Sequence, residues 1–415
     1  MGRGVQKQIY QLTFRGWFVI HAMPDAGSCR DTGLRGWRQK DILNRQRASV
    51  GHAPSGKTGW GGKISQVKGI MSENDKTVRI GLVGCGFMGV THAKAYAKIP
   101  GARIAAICDA VRLPEDGVLS SGGNVGDGEA VRLDMTQVRA YRDLSDLLAD
   151  PAIDLVDLCV PTSLHPQMAK AALAAGKHVL CEKPMARTSA LAREMVEAAK
   201  GARGFLMPAM CMRFWPEWAW LKQAIATGAY GRVFAARFRR VAEPPGWSKQ
   251  QFLDGQKSGG ALLDLHIHDV DFIQYCFGRP KSVYSTGYTK ISGAIDHVVS
   301  QFEVESGAIV HAEGGWAMAP GFGFSMSYTV NFERATADYD LARGAEALKL
   351  AVEGQPAQVV KCGGGDGYVG EMTHLVQAIQ RGEPPSVVTA LDGQTAVEIC
   401  EAEEKSIASH QSVRL

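Results

Sequence analysis

Between Thr77 and Lys200 the chain alternates short apolar runs with segments in which apolar and polar residues mix. The apolar runs TVRIGLV, ARIAAICD, IDLVDLCV and HVLCEK lack a two-residue alternation, which is typical of strands buried on both faces of a parallel sheet. The segments between them, such as HPQMAKAALAAGK and SALAREMVEAAK, have helical spacing. We therefore predict an α/β fold with a doubly wound parallel sheet of the Rossmann type over residues 74–200.

The second half of the chain has a different pattern, in which several runs alternate apolar and polar residues with a period of two. Strands are predicted at residues 231–241, 280–290, 296–306, 308–318 and 325–334. Because these runs follow one another without intervening helices, they favour an antiparallel sheet. One helix is predicted at 261–277 and two more at 370–382 and 392–409. The pattern therefore predicts a second, α+β domain over residues 201–390.

The net charge of +4 is unevenly distributed along the chain. Residues 1–70 hold twelve Lys or Arg and three acidic residues, so the remainder carries a net charge of −5 and offers no basic surface for nucleic acid. We expect residues 1–73 to be a disordered extension, with a transit peptide or translated sequence upstream of a start at Met71 as alternatives. No apolar run reaches the roughly eighteen residues that a membrane span needs.

Nine cysteines occur without a C-x-x-C pair. Cys85, Cys108, Cys159 and Cys181 lie within or beside the predicted strands. This placement favours small buried core residues in a reducing compartment over zinc ligands or disulfides, so we expect a cytoplasmic protein without a metal site.

A glycine motif, G-x-G-x-x-G over residues 84–89, follows the first strand and opens a helix. Gly84 permits a tight turn, Gly86 allows a pyrophosphate to approach the backbone, and Gly89 lets helix and strand pack closely. The helix N-terminus offers N–H groups to phosphates. Asp109, twenty residues beyond the last glycine, is expected to bind the adenosine ribose and to favour NAD, while nearby Arg112 leaves NADP open.

Two further polar segments follow predicted strands, at the edge where ligands bind in open α/β sheets. Pro161, Thr162 and His165 come after the third strand, and Glu182 and Lys183 come after the fourth. A lysine at this edge can hold a substrate hydroxyl or carbonyl through a charge-assisted hydrogen bond.

The predicted helix at 261–277 carries a cluster of carboxylates and imidazoles. Asp264, His268 and Asp271 share one face of a regular helix, and His266 points about 200° away from Asp264. A carboxylate one turn from an imidazole can orient it and raise its basicity, which suits a general base. A capped helix histidine is the alternative, and the two histidines cannot easily share a metal on a straight helix.

The order of these segments, GCGFMG, Asp109, VPTSLHPQMAKAALAAGKHVLCEKPMA and SGGALLDLHIHDVDFI, resembles the glucose–fructose oxidoreductase/inositol dehydrogenase family (Gfo/Idh/MocA) over about residues 77–410. The resemblance implies an open, mostly antiparallel second sheet, often used to form homodimers or homotetramers. It also implies that a last helix, within residues 391–415, returns to the nucleotide domain. The chain departs from the family in its N-terminal seventy residues, in a long glycine-rich loop after Asp109, and in His266, where glycine is frequent.

The resemblance also implies the roles of individual side chains. It places Lys183 near the nicotinamide and the substrate, matches Asp264 and His268 to the catalytic carboxylate and histidine, and matches Arg213 to a basic position near the substrate. The expected catalytic residues are Lys183, Asp264 and His268, and the expected substrate-binding residues are Lys183, Arg213, Trp247 and His268. The expected cofactor-binding residues are Gly84, Gly86, Phe87, Met88, Gly89, Asp109, Pro161, Thr162, His165, Glu182 and Lys183.

Together the motifs predict an NAD(P)-dependent oxidoreductase that moves a hydride between the nicotinamide and a secondary alcohol or ketone of a sugar or cyclitol. We expect His268, oriented by Asp264, to take the hydroxyl proton, and Trp215, Trp247 and Trp316 are candidates for stacking on a sugar ring. Two alternatives remain open. One is a glycoside hydrolase that uses NAD in a transient redox cycle, and the other is a dinucleotide-binding sensor without turnover.

Overall fold

The computed structural model describes residues 77–120, 129–245 and 254–415. The predicted extension over residues 1–73 and the predicted substrate contact Trp247 lie outside the described residues, as does part of the glycine-rich loop after Asp109. Within the three described ranges, no helix combines the length and the apolar character that crossing a membrane requires.

A six-stranded parallel sheet occupies the first part of the described chain. In chain order, the strands up to residue 208 are β1 (Val78–Val83), β2 (Ala102–Cys108), β3 (Val118–Leu119), β4 (Val131–Arg132), β5 (Arg139–Tyr141), β6 (Leu155–Leu158), β7 (His178–Cys181) and β8 (Leu206–Pro208). Six of them pair in the order β5-β2-β1-β6-β7-β8, all in parallel. β3 and β4 form a separate antiparallel pair. The order confirms the predicted doubly wound fold, in which β1 and β6 adjoin where the winding reverses.

Helices pack on both faces of this sheet. They are α1 (Phe87–Tyr96), α2 (Leu144–Ala149), α3 (His165–Ala174) and α4 (Ser189–Lys200). Val90 and Ala93 of α1 pack in one apolar cluster with Leu82, whereas Leu147 of α2 and Leu173 of α3 belong to the cluster on the other face. Burial on both faces explains why the strands read as continuous apolar runs.

The first sheet extends beyond the boundary suggested by the sequence. β8 pairs with β7 and ends at Pro208, whereas the pattern placed the end of the domain at residue 200. Only three residues form β8, which is too short for its periodicity to be recognised. The remaining domain boundaries stay predictions.

A nine-stranded mixed sheet dominates the rest of the described chain. Its strands are β9 (Val233–Ala242), β10 (Ser282–Tyr288), β11 (His297–Glu303), β12 (Ile309–Gly315), β13 (Phe324–Phe332), β14 (Ala335–Asp340), β15 (Leu348–Val352), β16 (Gln358–Val359) and β17 (Val413–Arg414). They pair in the order β16-β15-β14-β13-β9-β12-β11-β10-β17. β9 and β12 run parallel and the other pairs antiparallel, so the prediction of a mostly antiparallel sheet is confirmed.

The remaining helices connect the two sheets. They are α5 (Pro216–Thr227), α6 (Gly255–Ser258), α7 (Ile267–Phe277), α8 (Gly367–Arg381) and α9 (Ala390–Ser409). A π-turn over Leu262–His266 leads directly into α7. α9 contacts both α4 and β10, and the carboxylate of Glu401 accepts hydrogen bonds from the backbone N–H (2.8 Å) and hydroxyl (2.6 Å) of Ser189. The two sheets are therefore joined through α9 as well as through the chain.

Candidate active site

The glycine turn after β1 packs tightly against β6 but leaves one side open. Gly84 has a φ of +95°, and a Cβ there would overlap the carbonyl oxygen of Cys159. A Cβ on Gly89 would overlap the carbonyl oxygen of Gly84, so α1 can approach β1 only at a glycine. A Cβ on Gly86 would meet no atom within 4 Å. The turn thus combines close backbone packing with open space at the start of α1. Phe87 and Met88 lie in the first turn of this helix, where the free backbone N–H groups suit an anion.

Asp109, directly after β2, accepts a hydrogen bond from the backbone of the glycine turn. Its Oδ2 accepts the N–H of Cys85 at 2.8 Å, and its Oδ1 accepts those of Val111 at 2.8 Å and Arg112 at 2.7 Å. Burial opposes ionisation of this carboxyl, but the three N–H donors prevail and lower its pKa. Asp109 is therefore an ionised carboxylate that fixes the turn, a contact that sequence reasoning did not anticipate.

His165 cross-links the two loops that follow β6 and β7. Its Nδ1 lies 2.9 Å from the carbonyl oxygen of Pro184 and its Nε2 lies 2.8 Å from that of Val160. The residue is 1% exposed, and burial lowers its pKa, partly offset by those two carbonyls. A neutral imidazole has one N–H and donates to one of these two carbonyl oxygens, and the expected cofactor contact of His165 stays a prediction. Pro161 and Thr162 lie on the more accessible side of the same loop.

Glu182 is buried and contacts protein groups with both carboxylate oxygens. Its Oε1 lies 3.1 Å from Nε2 of His92 on α1, and its Oε2 accepts the backbone N–H of Lys183 at 2.9 Å. Burial opposes ionisation of Glu182, but its hydrogen bond and charge interaction with His92 lower its pKa. Each carboxylate oxygen of Glu182 thus has one protein partner, and its expected cofactor contact stays a prediction.

Lys183 joins the edge of the parallel sheet to the π-turn of the second half. Its Nζ donates to the backbone carbonyl of Asp264 at 2.8 Å and to Oδ1 of Asp264 at 2.9 Å. A π-turn interrupts the regular i→i+4 ladder, and in this π-turn a backbone carbonyl accepts a side-chain donor. Burial lowers the pKa of Lys183, but Asp264 and Glu182 reverse this effect and raise it above its ordinary value. Lys183 is therefore a fixed ammonium ion.

His268, one residue into α7, lies near this ion pair. Its Nδ1 is buried and has no hydrogen-bond partner among the described residues. Burial, followed by the positive charges of Lys183 and Arg240, lowers its pKa well below the ordinary value. His268 is consequently a neutral imidazole at neutral pH, able to accept a proton.

The structure corrects the predicted pairing of Asp264 with His268. We expected the carboxylate to orient the imidazole, but Asp264 instead binds Lys183 twice. An ammonium ion attracts the carboxylate more strongly than a neutral imidazole does, so Lys183 is the preferred partner. The basicity of His268 is thus set by burial and nearby cations rather than by Asp264.

His266 points away from this site, as its position in the helix predicts. Its Nε2 lies 2.9 Å from Oε1 of Glu403 on α9, and both side chains are fully buried. His266 therefore helps to fix the π-turn against α9 and is not part of the group formed by Lys183, Asp264 and His268.

Arg213 is part of a buried ion pair and is not a free cation beside the substrate. Its Nε and Nη2 bind the carboxylate of Asp271 at 2.9 and 2.6 Å, and its Nη1 donates to the carbonyl oxygen of Val387 at 2.7 Å. Arg213 is only 4% exposed, which corrects the expectation of a substrate contact. Trp316 is likewise unsuited to stacking on a sugar, because it is 2% exposed and its Nε1 donates to Asp296 at 2.8 Å.

Sequence reasoning missed two buried charged groups that surround the site. His92, on α1, contacts Glu182. Arg240, on β9, donates from Nε to the carboxylate of Asp269 at 2.9 Å, and Asp269 follows His268 in the chain. Arg240 shares the inward face of its strand with Phe238, and a cation in that position implies a buried partner. For His92, the sequence shows only a polar residue within a helix.

Comparisons with known proteins give matches over both halves of the chain. A model described as the oxidoreductase family, NAD-binding Rossmann fold (GFO_IDH_MocA) matches residues 78–209, and the GFO/IDH/MocA C-terminal domain matches residues 218–338. The first of these shows that the parallel sheet is an NAD-binding Rossmann domain.

Several relatives are sugar or cyclitol dehydrogenases. Myo-inositol 2-dehydrogenase of Thermotoga maritima is 28% identical, over 81% of this chain and 98% of its own length. Levoglucosan dehydrogenase of Pseudarthrobacter phenanthrenivorans is 33% identical, over 50% of this chain and 53% of its own length.

Solved structures share the fold. A levoglucosan dehydrogenase in complex with NADH and L-sorbose has a TM-score of 0.69 at 24% identity, covering 82% of this chain and 99% of that one. An NAD binding oxidoreductase from Klebsiella pneumoniae has a TM-score of 0.66 at 26% identity, covering 81% and 98%.

Replacement of Arg213 by Met tests its assignment as a structural residue. The free energy of unfolding should fall by about 3–5 kcal/mol, because Asp271 remains buried without its cation. Denaturant unfolding measures this loss. Arg232→Met, at an exposed arginine, is the control and should change the stability by less than about 0.5 kcal/mol. If the Arg213→Met protein is stable but has a strongly raised KM for substrate, Arg213 contacts the substrate after all.

Proposed function

The chain belongs to the Gfo/Idh/MocA family of oxidoreductases, and from this premise we propose that it oxidises a secondary alcohol of a sugar or cyclitol with NAD. The observation that carries the proposal is a neutral imidazole, His268, near a fixed ammonium ion, Lys183, at the carboxyl edge of an NAD-binding sheet. The first group can accept a proton and the second can stabilise negative charge on an oxygen atom.

The residues around the glycine turn fit a dinucleotide. Open space at Gly86 and the N-terminus of α1 suit the pyrophosphate. The carboxylate of Asp109 would bind the ribose hydroxyls and repel a 2′-phosphate, which favours NAD over NADP. When bound, the nicotinamide accepts the hydride from the substrate carbon.

Lys183 is suited to bind the reacting oxygen of the substrate. An ammonium group has three N–H donors, and Asp264 accepts two of them through its carbonyl oxygen and Oδ1. The third donor remains for the substrate hydroxyl. Because Asp264 fixes the ammonium in advance, little reorganisation is needed as negative charge develops on that oxygen.

His268 is suited to remove the hydroxyl proton. Its lowered pKa keeps the imidazole neutral, so the base is available before the substrate binds. The same nearby cations that lower its pKa limit its strength as a base, and Lys183 compensates by stabilising the alkoxide that forms.

The substrate class comes from the relatives, which include inositol dehydrogenases and a levoglucosan dehydrogenase. Cyclitols and pyranose sugars both present secondary hydroxyls on a six-membered ring. The proposal further includes a homo-oligomer in the cytoplasm. The eight described cysteines carry free thiols, which suits a reducing compartment, and Tyr284, Val299 and Ile309 give the mixed sheet an exposed apolar surface.

Incubation of the full-length protein with NAD and a panel of cyclitols, aldoses, anhydrosugars and nitrophenyl glycosides tests the proposal. NADH should accumulate with at least one polyol or sugar, as measured by its absorbance. Nitrophenol release that requires NAD without net NADH would indicate the redox-assisted glycosidase. NADH binding without turnover on any substrate would indicate a sensor.

Replacement of His268 by Ala should reduce kcat by about 10²–10⁴-fold, because the hydroxyl proton then has no positioned acceptor. The dissociation constant of NADH, measured by fluorescence, should change little. His311→Ala is a matched control, since His311 lies on the face of β12 opposite to the buried Val310 and Ala312. Full turnover by His268→Ala would contradict the assigned base.

The pH profile of alcohol oxidation should follow the shifted pKa values. Oxidation needs neutral His268, so the rate falls only as the pH drops through its lowered pKa, and the acidic limb of kcat/KM should lie below pH 6.5. Lys183, whose pKa is raised above 10.5, should keep its charge throughout the neutral and mildly alkaline range. An acidic limb at or above pH 6.5 would show that a different group is the base.

A further inference from the structure

A buried polar network connects α1 to the strand ends beside Lys183. Nδ1 of His92 lies 2.8 Å from Oδ2 of Asp157 on β6, and its Nε2 lies 3.1 Å from Oε1 of Glu182 after β7. His92 and Asp157 are fully buried and Glu182 is 5% exposed. One imidazole thus binds carboxylates from two neighbouring strands.

The geometry fits a His92 ring that carries both protons. A neutral imidazole has one N–H donor and one acceptor nitrogen, whereas each nitrogen of His92 faces a carboxylate oxygen at hydrogen-bond distance. Burial opposes the charged form, but Asp157 and Cys159 raise the pKa of His92 well above its ordinary value. His92 is therefore a buried imidazolium between two carboxylates.

Apart from Lys183, the other titratable groups that face this network do not supply positive charge. They are Tyr96 on α1, Cys159 directly after β6, Cys211 before α5, and Tyr368 and Glu371 on α8. Burial and the nearby Glu182 raise the pKa of Glu371 well above its usual range, so that carboxyl is protonated. Within the described network, His92 is the side chain that contacts both Asp157 and Glu182.

The network ends at the backbone of Lys183. Oε1 of Glu182 contacts His92, and its Oε2 accepts the N–H of Lys183 at 2.9 Å. The Lys183 side chain then reaches Asp264. Hydrogen bonds to Glu182 therefore connect α1 to the backbone of Lys183, whose side chain carries the ammonium group.

We propose that His92 is a positioning residue: as an imidazolium it holds Glu182, and Glu182 holds the backbone at Lys183 so that its ammonium group meets Asp264. The importance of this for turnover rests on the proposed function, whereas the positioning itself does not. The arrangement also couples the cofactor-binding helix to Lys183, because α1 carries both the phosphate-facing N-terminus and His92.

A metal ion is a weaker interpretation of the same residues. Ligand atoms of His92, Asp157 and Cys159 lie within 4.8 Å of one another. A metal would need a lone pair on an imidazole nitrogen, and an imidazolium between Asp157 and Glu182 would first have to lose a proton.

Chemical labelling of Lys183 tests the proposal independently of turnover. Full-length wild-type, His92→Gln and Asp157→Asn proteins are treated with acetic anhydride, and acetylation of Lys183 is quantified by mass spectrometry relative to the exposed Lys200. In His92→Gln, Glu182 loses the imidazolium, and in Asp157→Asn, His92 loses a carboxylate that raises its pKa and so becomes partly neutral. In both variants the pKa of Glu182 rises and that of Lys183 falls. A fall of about one unit makes Lys183 roughly tenfold more reactive at mildly alkaline pH.

His178→Gln is the matched control for loss of a buried histidine contact. His178 begins β7, at the opposite end of the strand from Glu182, and its Nδ1 accepts the N–H of Phe205 at 3.0 Å. This variant should lose stability without a change in Lys183 labelling. The enzyme assay should show a lower kcat for His92→Gln and Asp157→Asn with little change in the dissociation constant of NADH.

Unchanged Lys183 labelling in folded His92→Gln and Asp157→Asn proteins would overturn the proposal. If His92→Gln does not fold, the near-isosteric Asp157→Asn decides alone. Increased labelling in the variants of a protein that oxidises no substrate would support the positioning role and refute only the proposed function. Unchanged labelling in the variants of an active dehydrogenase would refute the positioning role and leave the proposed function intact.

Discussion

The ion pair between Lys183 and Asp264 is the interaction on which the site depends, because it joins the edge of the parallel sheet to the π-turn that leads into α7. Lys183 follows β7 of the Rossmann sheet, and Asp264 lies in the π-turn that packs against β12 of the mixed sheet. The pair uses two ammonium donors and leaves one for a substrate. Where the two sheets meet thus determines where a substrate oxygen can bind.

The electrostatics of the site follow from how buried charges are paired. Lys183 stays charged because carboxylates outweigh its desolvation, while His268 stays neutral because it is buried near cations and has no such partner. A positive hydrogen-bond donor and a neutral proton acceptor result from one local arrangement. Arg213–Asp271 and Arg240–Asp269 fix α7, and with it His268, by buried pairs of the kind that lose much stability when one partner is removed.

The sequence was sufficient for the fold because the strands buried on both faces and the glycine turn have local patterns. It was insufficient wherever a side chain chooses a distant partner. Asp264 bonds to Lys183 rather than to His268, and Arg213 binds Asp271 inside the protein, since long-range contacts decide between the candidate partners. Short strands such as β8 and β16 were missed because two or three residues carry no periodicity.

Direct transfer of deuterium tests the central claim that this site moves a hydride from a substrate carbon to NAD. A cyclitol or sugar that supports turnover is prepared with deuterium on the carbon of its reactive hydroxyl and incubated with the full-length protein and NAD. The account predicts that the NADH formed carries one deuterium on the nicotinamide ring, as seen by mass spectrometry. Product formation with unlabelled NADH, or with no NADH at all, would contradict it.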